Sequence, residues 1–234
     1  MLKRLLEISL SAALLLALSL PFLAICVILK LTGEREVFYR QDRVGLGGKA
    51  IRLTKFVTMV QNSLSIGSKD ITLKNDPRVL PIGKFLRKTK LNELPQLWDV
   101  ISGKLSIVGW RPLMQSGFSM YPTEVQQVLL TIKPGLTGIG SLIFRDEEAI
   151  IARAEEEGRD LRACYREDIM PYKGAVEVWY VQNAGLWTDF KIMFGTGIAV
   201  LRPGWIGFYG WFKGLPMPES QIVREVLGLD QRES

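Results

Sequence analysis

Histidine is absent from the 234-residue sequence, and only two cysteines are present. The first absence excludes Ser-His-Asp triads, Cys-His dyads, imidazole acid–base catalysis and His-ligated zinc. Cys26 and Cys164 stand far apart in unlike surroundings, which excludes a disulfide scaffold and a four-cysteine zinc site. So few thiols fit a reducing compartment. Internal repeats are absent, and 47% hydrophobic residues against 23% charged ones exclude a disordered chain. The chemistry must therefore rest on carboxylates, lysines, arginines and hydroxyls. Lys plus Arg outnumber Asp plus Glu, 30 to 24, so the chain is basic and suits an anionic partner.

Long apolar runs are scarce too: there is one, at the N-terminus. Residues 8–29 carry no charge, and 22 residues make a helix of ~33 Å, enough to cross a hydrocarbon core. A cleaved signal peptide is disfavoured, because the run is long and no small-x-small site follows it. A straight anchor and a re-entrant hairpin remain. Pro21, in Ser19-Leu20-Pro21, deletes a helix hydrogen bond mid-run, and Ser19 can satisfy a freed carbonyl. Basic residues flank both ends: Lys3 and Arg4 before, then Lys30, Arg35, Arg40 and Arg43 after. Such residues prefer the cytoplasmic side, and a helix broken at Pro21 keeps both flanks there. The rest of the chain is then cytoplasmic and held against the membrane.

Residues 37–56 read as a β-hairpin turning at Gly45-Leu46-Gly47-Gly48. That turn lacks the spacing and the Ser/Thr of a phosphate loop. Residues 61–75 read as a polar loop and Asn75-Asp76-Pro77 as a turn. Short helices are expected over 81–90 and from about Glu93 to Ile101, with Pro95 in the first turn. Apolar residues keep helical spacing from 146 to 169, with a solvated charged face. Residues 188–201 form an apolar helix, either core or lying on the membrane. Trp205, Phe208, Tyr209, Trp211 and Phe212 suit a headgroup-level belt, a partner surface or ordinary packing. The expected class is α/β, mostly helical, in three parts: a membrane helix over 1–31, a cytoplasmic domain over 32–201 and an aromatic tail over 202–234.

Basic residues cluster between Lys69 and Arg111, with Lys74, Arg78, Lys84, Arg87, Lys88, Lys90 and Lys104 between them. Such a patch binds anionic lipid, a phosphorylated ligand or nucleic acid; the membrane segment argues against nucleic acid. The patch surrounds Asn92-Glu93 at an expected helix start, where backbone N–H groups favour anions.

Several stretches resemble the bacterial sugar transferases, the monotopic polyprenyl-phosphate phosphoglycosyltransferases. They are Val37-Phe38-Tyr39-Arg40-Gln41-Asp42-Arg43-Val44-Gly45, Lys55-Phe56-Val57-Thr58-Met59, Asn75-Asp76-Pro77-Arg78-Val79, Phe85-Leu86-Arg87-Lys88-Thr89-Lys90-Leu91-Asn92-Glu93-Leu94-Pro95-Gln96-Leu97, Ser106-Ile107-Val108-Gly109-Trp110-Arg111-Pro112, Lys133-Pro134-Gly135-Leu136-Thr137-Gly138 and Trp179-Tyr180-Val181-Gln182-Asn183. Their order runs from the membrane segment to about Leu201. The resemblance implies transfer of a sugar 1-phosphate from a nucleotide sugar, UDP-linked by expectation, to undecaprenyl phosphate. It implies Mg²⁺, release of a nucleoside monophosphate, and the first step of exopolysaccharide, capsule or O-antigen assembly. It also implies a re-entrant helix broken at Pro, interfacial amphipathic helices, the cytoplasmic face of the bacterial inner membrane, and downstream glycosyltransferases as partners.

Carried over residue by residue, Glu93 becomes the main catalytic carboxylate, as Mg²⁺ ligand or as nucleophile. Arg87 and Arg111 become phosphate clamps, with Lys55 and Lys133 as further phosphate ligands. The family's usual Asp-Glu dyad is Asn92-Glu93 here, and an amide is a poor nucleophile and a weaker metal ligand. The stretch Gly138-Ile139-Gly140-Ser141-Leu142-Ile143-Phe144-Arg145-Asp146-Glu147-Glu148 resembles members with this Asn, which makes Asp146 and Glu147 further candidate acids. Val57, Lys104 and Trp110 also depart from the family pattern. Either the polyprenyl phosphate attacks directly or an acid acts covalently. The competing expectation is a catalytically weakened relative that binds the lipid or scaffolds glycosyltransferases.

Overall fold

Pro21 has no N–H to give the Ala17 carbonyl, and its ring crowds that oxygen. The first helix, α1 (Leu2–Ala17), accordingly ends there, and α2 (Ser19–Leu31) continues at an angle of 63°. The computed structural model describes residues 2–32, 34–65, 76–202 and 204–229. Of the expected loop over 61–75, residues 66–75 lie outside the described residues, as do Lys69, Lys74 and Asn75. Among the described residues no single helix is long and apolar enough to cross a membrane; the bent pair is. The chain divides into two compact units, Met1–Arg43 with Ala50–Ile107 and Val44–Lys49 with Val108–Ser234.

In the first unit the helix pair leaves Leu5, Leu6, Leu10, Leu16, Leu20 and Leu23 exposed. Its other side is buried. Ile25 and Leu29 of α2 pack with Phe56 and Leu86, and the Phe22 ring lies 4.9 Å from that of Phe56. The beginning of α1 is fastened by polar groups. Arg4 Nη2 donates to Ile101 O at 2.9 Å, while the buried Glu7 carboxylate accepts from Ser106 Oγ and, at 3.2 Å, from Ile107 N–H.

The strands expected in 37–56 are β1 (Phe38–Val44) and β2 (Ala50–Phe56). Gly47 and Gly48 in the turn have φ of 64° and 78°, the left-handed region that glycine enters without penalty. The basic helix α3 (Pro81–Lys88) starts with Pro in its first turn. The stretch expected as one helix from Glu93 is two pieces. A 3₁₀ turn, Leu91–Glu93, precedes α4 (Gln96–Ile101). The unit ends in β3 (Ser106–Val108), which continues into the second.

The second unit contains α5 (Gln115–Phe118), α6 (Thr123–Leu129), β4 (Gly135–Thr137), α7 (Ile139–Ile143), α8 (Glu147–Glu156), α9 (Leu161–Cys164), α10 (Met170–Gln182), α11 (Leu186–Leu201) and α12 (Gln221–Val226). Trp110, Leu113, Phe118, Tyr121, Leu129 and Met170 form its core. Around Gly109 the chain runs against β4. Gly109 N–H donates to Thr137 O at 3.0 Å and Gly135 N–H to Trp110 O at 2.9 Å. No side chain fits there, because a Cβ on Gly135 would lie 2.1 Å from Gly109 N.

The helical periodicity over 146–169 is broken. Gly158, at φ 70°, ends the α8 segment, and Asp160 caps α9 by accepting from Ala163 N–H at 2.7 Å. A π turn, Tyr165–Ile169, then leads into α10, where Pro171 falls in the first turn. The tail aromatics take the packing option in part. Phe208, Tyr209 and Phe212 are buried, and Tyr172 and Tyr209 share a hydroxyl bond of 3.1 Å. Along α11 the Trp187, Phe190 and Phe194 rings stack in sequence and stay exposed.

Candidate active site

The two units contribute two polar clusters. In the first, Lys90 adopts a left-handed conformation (φ 60°) and turns the chain from α3 into the Leu91–Glu93 turn. Glu93 then meets β2: Lys55 Nζ donates to Glu93 Oε1 at 2.8 Å, with both side chains less than a fifth exposed. The Lys55 strand is itself pinned by a buried acid of α4. Asp99, 1% exposed, accepts from Thr54 N–H at 3.0 Å and from Lys104 Nζ at 2.8 Å. Asp99 thereby sets the register of β2 next to Lys55. Its signal in the sequence is weak, a single acid on a two-turn helix.

Asn92 is buried, and its Oδ1 has no hydrogen-bond partner. One turn on, Gln96 is also buried with Nε2 unpartnered. Arg87 is half-buried in the last turn of α3. The helix-start argument for anion binding at Asn92-Glu93 is corrected. These residues form a 3₁₀ turn before a six-residue helix, too short for a useful dipole. The basic patch is also thinner than the sequence implied. Arg78 is buried against Asp76, with Nε 2.9 Å from Oδ1, and also donates to Ser63 O, so it serves the fold. Lys104 is bound to Asp99.

Among the described residues no group of three or more acids or cysteines could hold a metal. Mg²⁺ does not need one: it keeps several waters and takes one or two protein oxygens plus substrate phosphates. The orphaned Asn92 Oδ1, on the residue before Glu93 in the chain, is an oxygen that such a half-site could use.

The second cluster gathers on α10. Glu177, 1% exposed, accepts from Arg111 N–H through Oε1 at 3.0 Å, and its Oε2 has no partner. Burial pushes its carboxyl up to about 7, although the Arg111 N–H and the Lys173 and Arg111 charges pull the other way. One turn earlier Lys173 is buried in an ion pair with Glu147, its ammonium 5.3 Å from the Phe144 ring and 5.7 Å from that of Tyr165. Burial works against that charge, but Glu147 and Tyr165 outweigh it and hold the ammonium above its ordinary value. Arg111 Nη1 reaches Ser141 Oγ at 3.5 Å, and Lys133 is half-buried just before β4. Asp146 is exposed at the start of α8, whereas its neighbour Glu147 turns inward to Lys173.

The first cluster thus joins Lys55, Glu93 and Asn92, and the second joins Arg111, Glu147 and Lys173 with Glu177. Glu177 was missed in the sequence; only its place on an apolar helix hints at burial. The three departures from family pattern are structural. Val57 and Trp110 are core residues, and Lys104 pairs with Asp99.

A family model described as bacterial sugar transferase matches residues 1–203. The chain is 35% identical over 178 residues to the undecaprenyl-phosphate galactose phosphotransferase of Salmonella typhimurium, covering 70% of this chain and 33% of that protein. It is 34% identical to the UDP-glucose:undecaprenyl-phosphate glucose-1-phosphate transferase of Klebsiella pneumoniae, over 83% of this chain and 39% of that one. Identity to the exopolysaccharide production protein PSS of Rhizobium leguminosarum bv. phaseoli is 34%, over 84% of this chain and 92% of the relative. The chain therefore spans about a third to two fifths of the longer relatives and nearly all of the shorter one.

Proposed function

Since the chain belongs to the bacterial sugar transferase family, we propose that it transfers a sugar 1-phosphate from a UDP-sugar to undecaprenyl phosphate, releasing the nucleoside monophosphate. This would be the opening step of exopolysaccharide, capsule or O-antigen assembly, ahead of downstream glycosyltransferases. The observation that carries the reading is the Lys55–Glu93 pair beside the buried, unpartnered Asn92 Oδ1, inside the matched residues.

Transfer needs the pyrophosphate neutralised, aligned and attacked. Lys55 pairs with Glu93 and so reduces its repulsion of an arriving diphosphate. The same ammonium makes the carboxylate a poorer nucleophile, and Asn92 offers an amide, so the lipid phosphate oxygen is the attacking group. It bonds to the β-phosphorus while the bond from that phosphorus to the bridging oxygen breaks, and the nucleoside monophosphate leaves with the electron pair. Arg87 and Arg111 each present a guanidinium fork suited to phosphate oxygens, and Lys133 a further cation. Mg²⁺, held through Glu93 and Asn92 Oδ1 when bound, would supply neutralisation of the pyrophosphate charge. Asp146, exposed just before α8, is the remaining candidate acid for a covalent route.

The N-terminal pair is read as re-entrant. Arg4 and Glu7 at its start bond to Ile101, Ser106 and Ile107, in the segment that follows its end in the chain, which supports both ends lying on one side. With the basic flanks, that side is the cytoplasmic face of the inner membrane. The exposed aromatic face of α11 by itself suits a headgroup-level interface. The test is lipid-dependent release of UMP from UDP-glucose or UDP-galactose by purified protein in nanodiscs. Release that requires undecaprenyl phosphate supports the reading. Lipid binding without release supports the weakened relative, for which the replacement of the usual Asp by Asn92 speaks.

A further inference from the structure

Glu177 is a buried acid that the proposed transfer does not use. One oxygen holds the Arg111 N–H at 3.0 Å, and the other has no partner. The wall beside it is made of glycine. A Cβ on Gly140 would lie 2.4 Å from Oε1 and 2.8 Å from Cδ, so the carboxyl fills the space that a side chain at 140 would take. The charged and titratable groups facing it are few. On its own helix Lys173 is committed to Glu147 of α8. Arg111 comes from the loop after β3, α7 offers only the Ser141 hydroxyl, and the Tyr121 and Tyr165 phenols are both held above their ordinary range, by burial first. Arg111 is thus the residue that Glu177 touches, through its backbone N–H, and its charge acts on the carboxyl beside that of Lys173, which is already paired with Glu147.

We propose that Glu177 is a positioning residue for Arg111, which fixes the Arg111 backbone and takes up a proton when Arg111 receives an anionic phosphate. This rests on the reading of Arg111 as a phosphate ligand. The Arg111 charge acts on the Glu177 carboxyl as its N–H does, so an ionised Glu177 cancels part of the charge that an anion would otherwise use, and low local dielectric strengthens the effect. Protonation removes the cancellation while leaving Oε1 able to accept from the amide. With burial holding this carboxyl up to about 7, the proton is available in the physiological range. Anion binding at Arg111 and proton binding at Glu177 are then linked, each favouring the other.

UDP-glucose is the probe, because its diphosphate diester does not titrate near neutrality. Calorimetric titration at pH 7.5 in two buffers of different ionisation enthalpy reads protons taken up per ligand bound. The wild-type protein should take up about half a proton or more, and its KM for donor should rise above pH 7 by up to about tenfold per unit, with kcat changing less. Glu177→Gln keeps an acceptor for Arg111 N–H but cannot titrate. Its uptake should vanish and its KM become flat with pH. Gly140→Ala, which pushes the carboxyl off the Arg111 N–H without changing its chemistry, should weaken donor binding and lower proton uptake; it guards against a Glu177→Gln protein that fails to fold. Equal uptake in wild type and Glu177→Gln, or none in wild type while Arg111→Ala loses binding, overturns the proposal and leaves the phosphate-ligand reading standing. Unchanged UDP-glucose binding by Arg111→Ala overturns both.

Discussion

Replacing Pro21 by Ala asks what keeps the N-terminal helix pair bent. The substitution restores an N–H for Ala17 O and removes the ring's clash, a gain of about 3 kcal/mol for a straight helix. A continuous helix over the 30 residues from Leu2 to Leu31 would be ~45 Å long, ample to span a core of ~30 Å. Straightening across the membrane would carry Arg4 and Glu7 away from their partners. That breaks the Arg4 bond to Ile101 O and the two Glu7 bonds to Ser106 and Ile107. Hydrogen bonds to charged groups contribute about 1.5–3 kcal/mol each, so the tether is worth about 4–9 kcal/mol and outweighs the proline. Pro21→Ala alone should therefore keep most N-termini on the original side; Pro21→Ala with Glu7→Ala should release a substantial fraction. A Leu2→Cys reporter in a background lacking the native cysteines, labelled in spheroplasts with an impermeant maleimide, reads the side directly. Predominant outside labelling with Pro21→Ala alone would refute the tether, and so would no outside labelling in the double variant.

Other outcomes follow from the same geometry. Gly135→Ala forces a Cβ to 2.1 Å from Gly109 N and 2.4 Å from Thr137 O, so it should cost at least about 3 kcal/mol, read as a lower urea midpoint. Glu177 sets a pH slope: its carboxyl is raised from 4.5 to about 7 in the fold, so its contribution is full below pH 4.5 and is lost as pH rises toward 7. The loss is about 3 kcal/mol, and the difference in stability between Glu177→Gln and wild type, followed by denaturant titration across that window, should show it. Glu93→Gln should abolish turnover, whereas Asn92→Asp, adding charge beside Glu93, should leave the rate unchanged or lower; a large gain with Asp would mark a decayed Asp-Glu dyad. Arg87→Lys keeps charge and loses the fork, so turnover should fall about 10- to 150-fold. Wild-type rates would remove Arg87 from the site.

The sequence exposed those elements whose cause is local. Pro21, the Gly47-Gly48 turn and Pro81 each act within a few residues, and the bend, the hairpin and α3 are where those residues require them. The Lys55–Glu93 pair was legible as two motif residues but not as a contact, because 38 positions separate them and β2 must pair before they meet. Asp99 and Glu177 were not legible at all. Each is a single acid on a helix, and only burial and a backbone N–H at 3.0 Å give them a role, with Gly140 making room for Glu177. The helix over 146–169 failed because apolar spacing survives across Gly158, while the backbone there does not. Arg78 looked like part of a binding patch because charge is visible in sequence and pairing is not.

Sugar 1-phosphate transfer to a lipid phosphate is read most directly from its two products. Purified protein in nanodiscs, given UDP-glucose or UDP-galactose and undecaprenyl phosphate, should release UMP and form a lipid diphosphate sugar in equal amounts. Neither product should appear without the lipid phosphate or in the Glu93→Gln protein. UMP release that is independent of undecaprenyl phosphate, or equal in wild type and Glu93→Gln, would contradict the account.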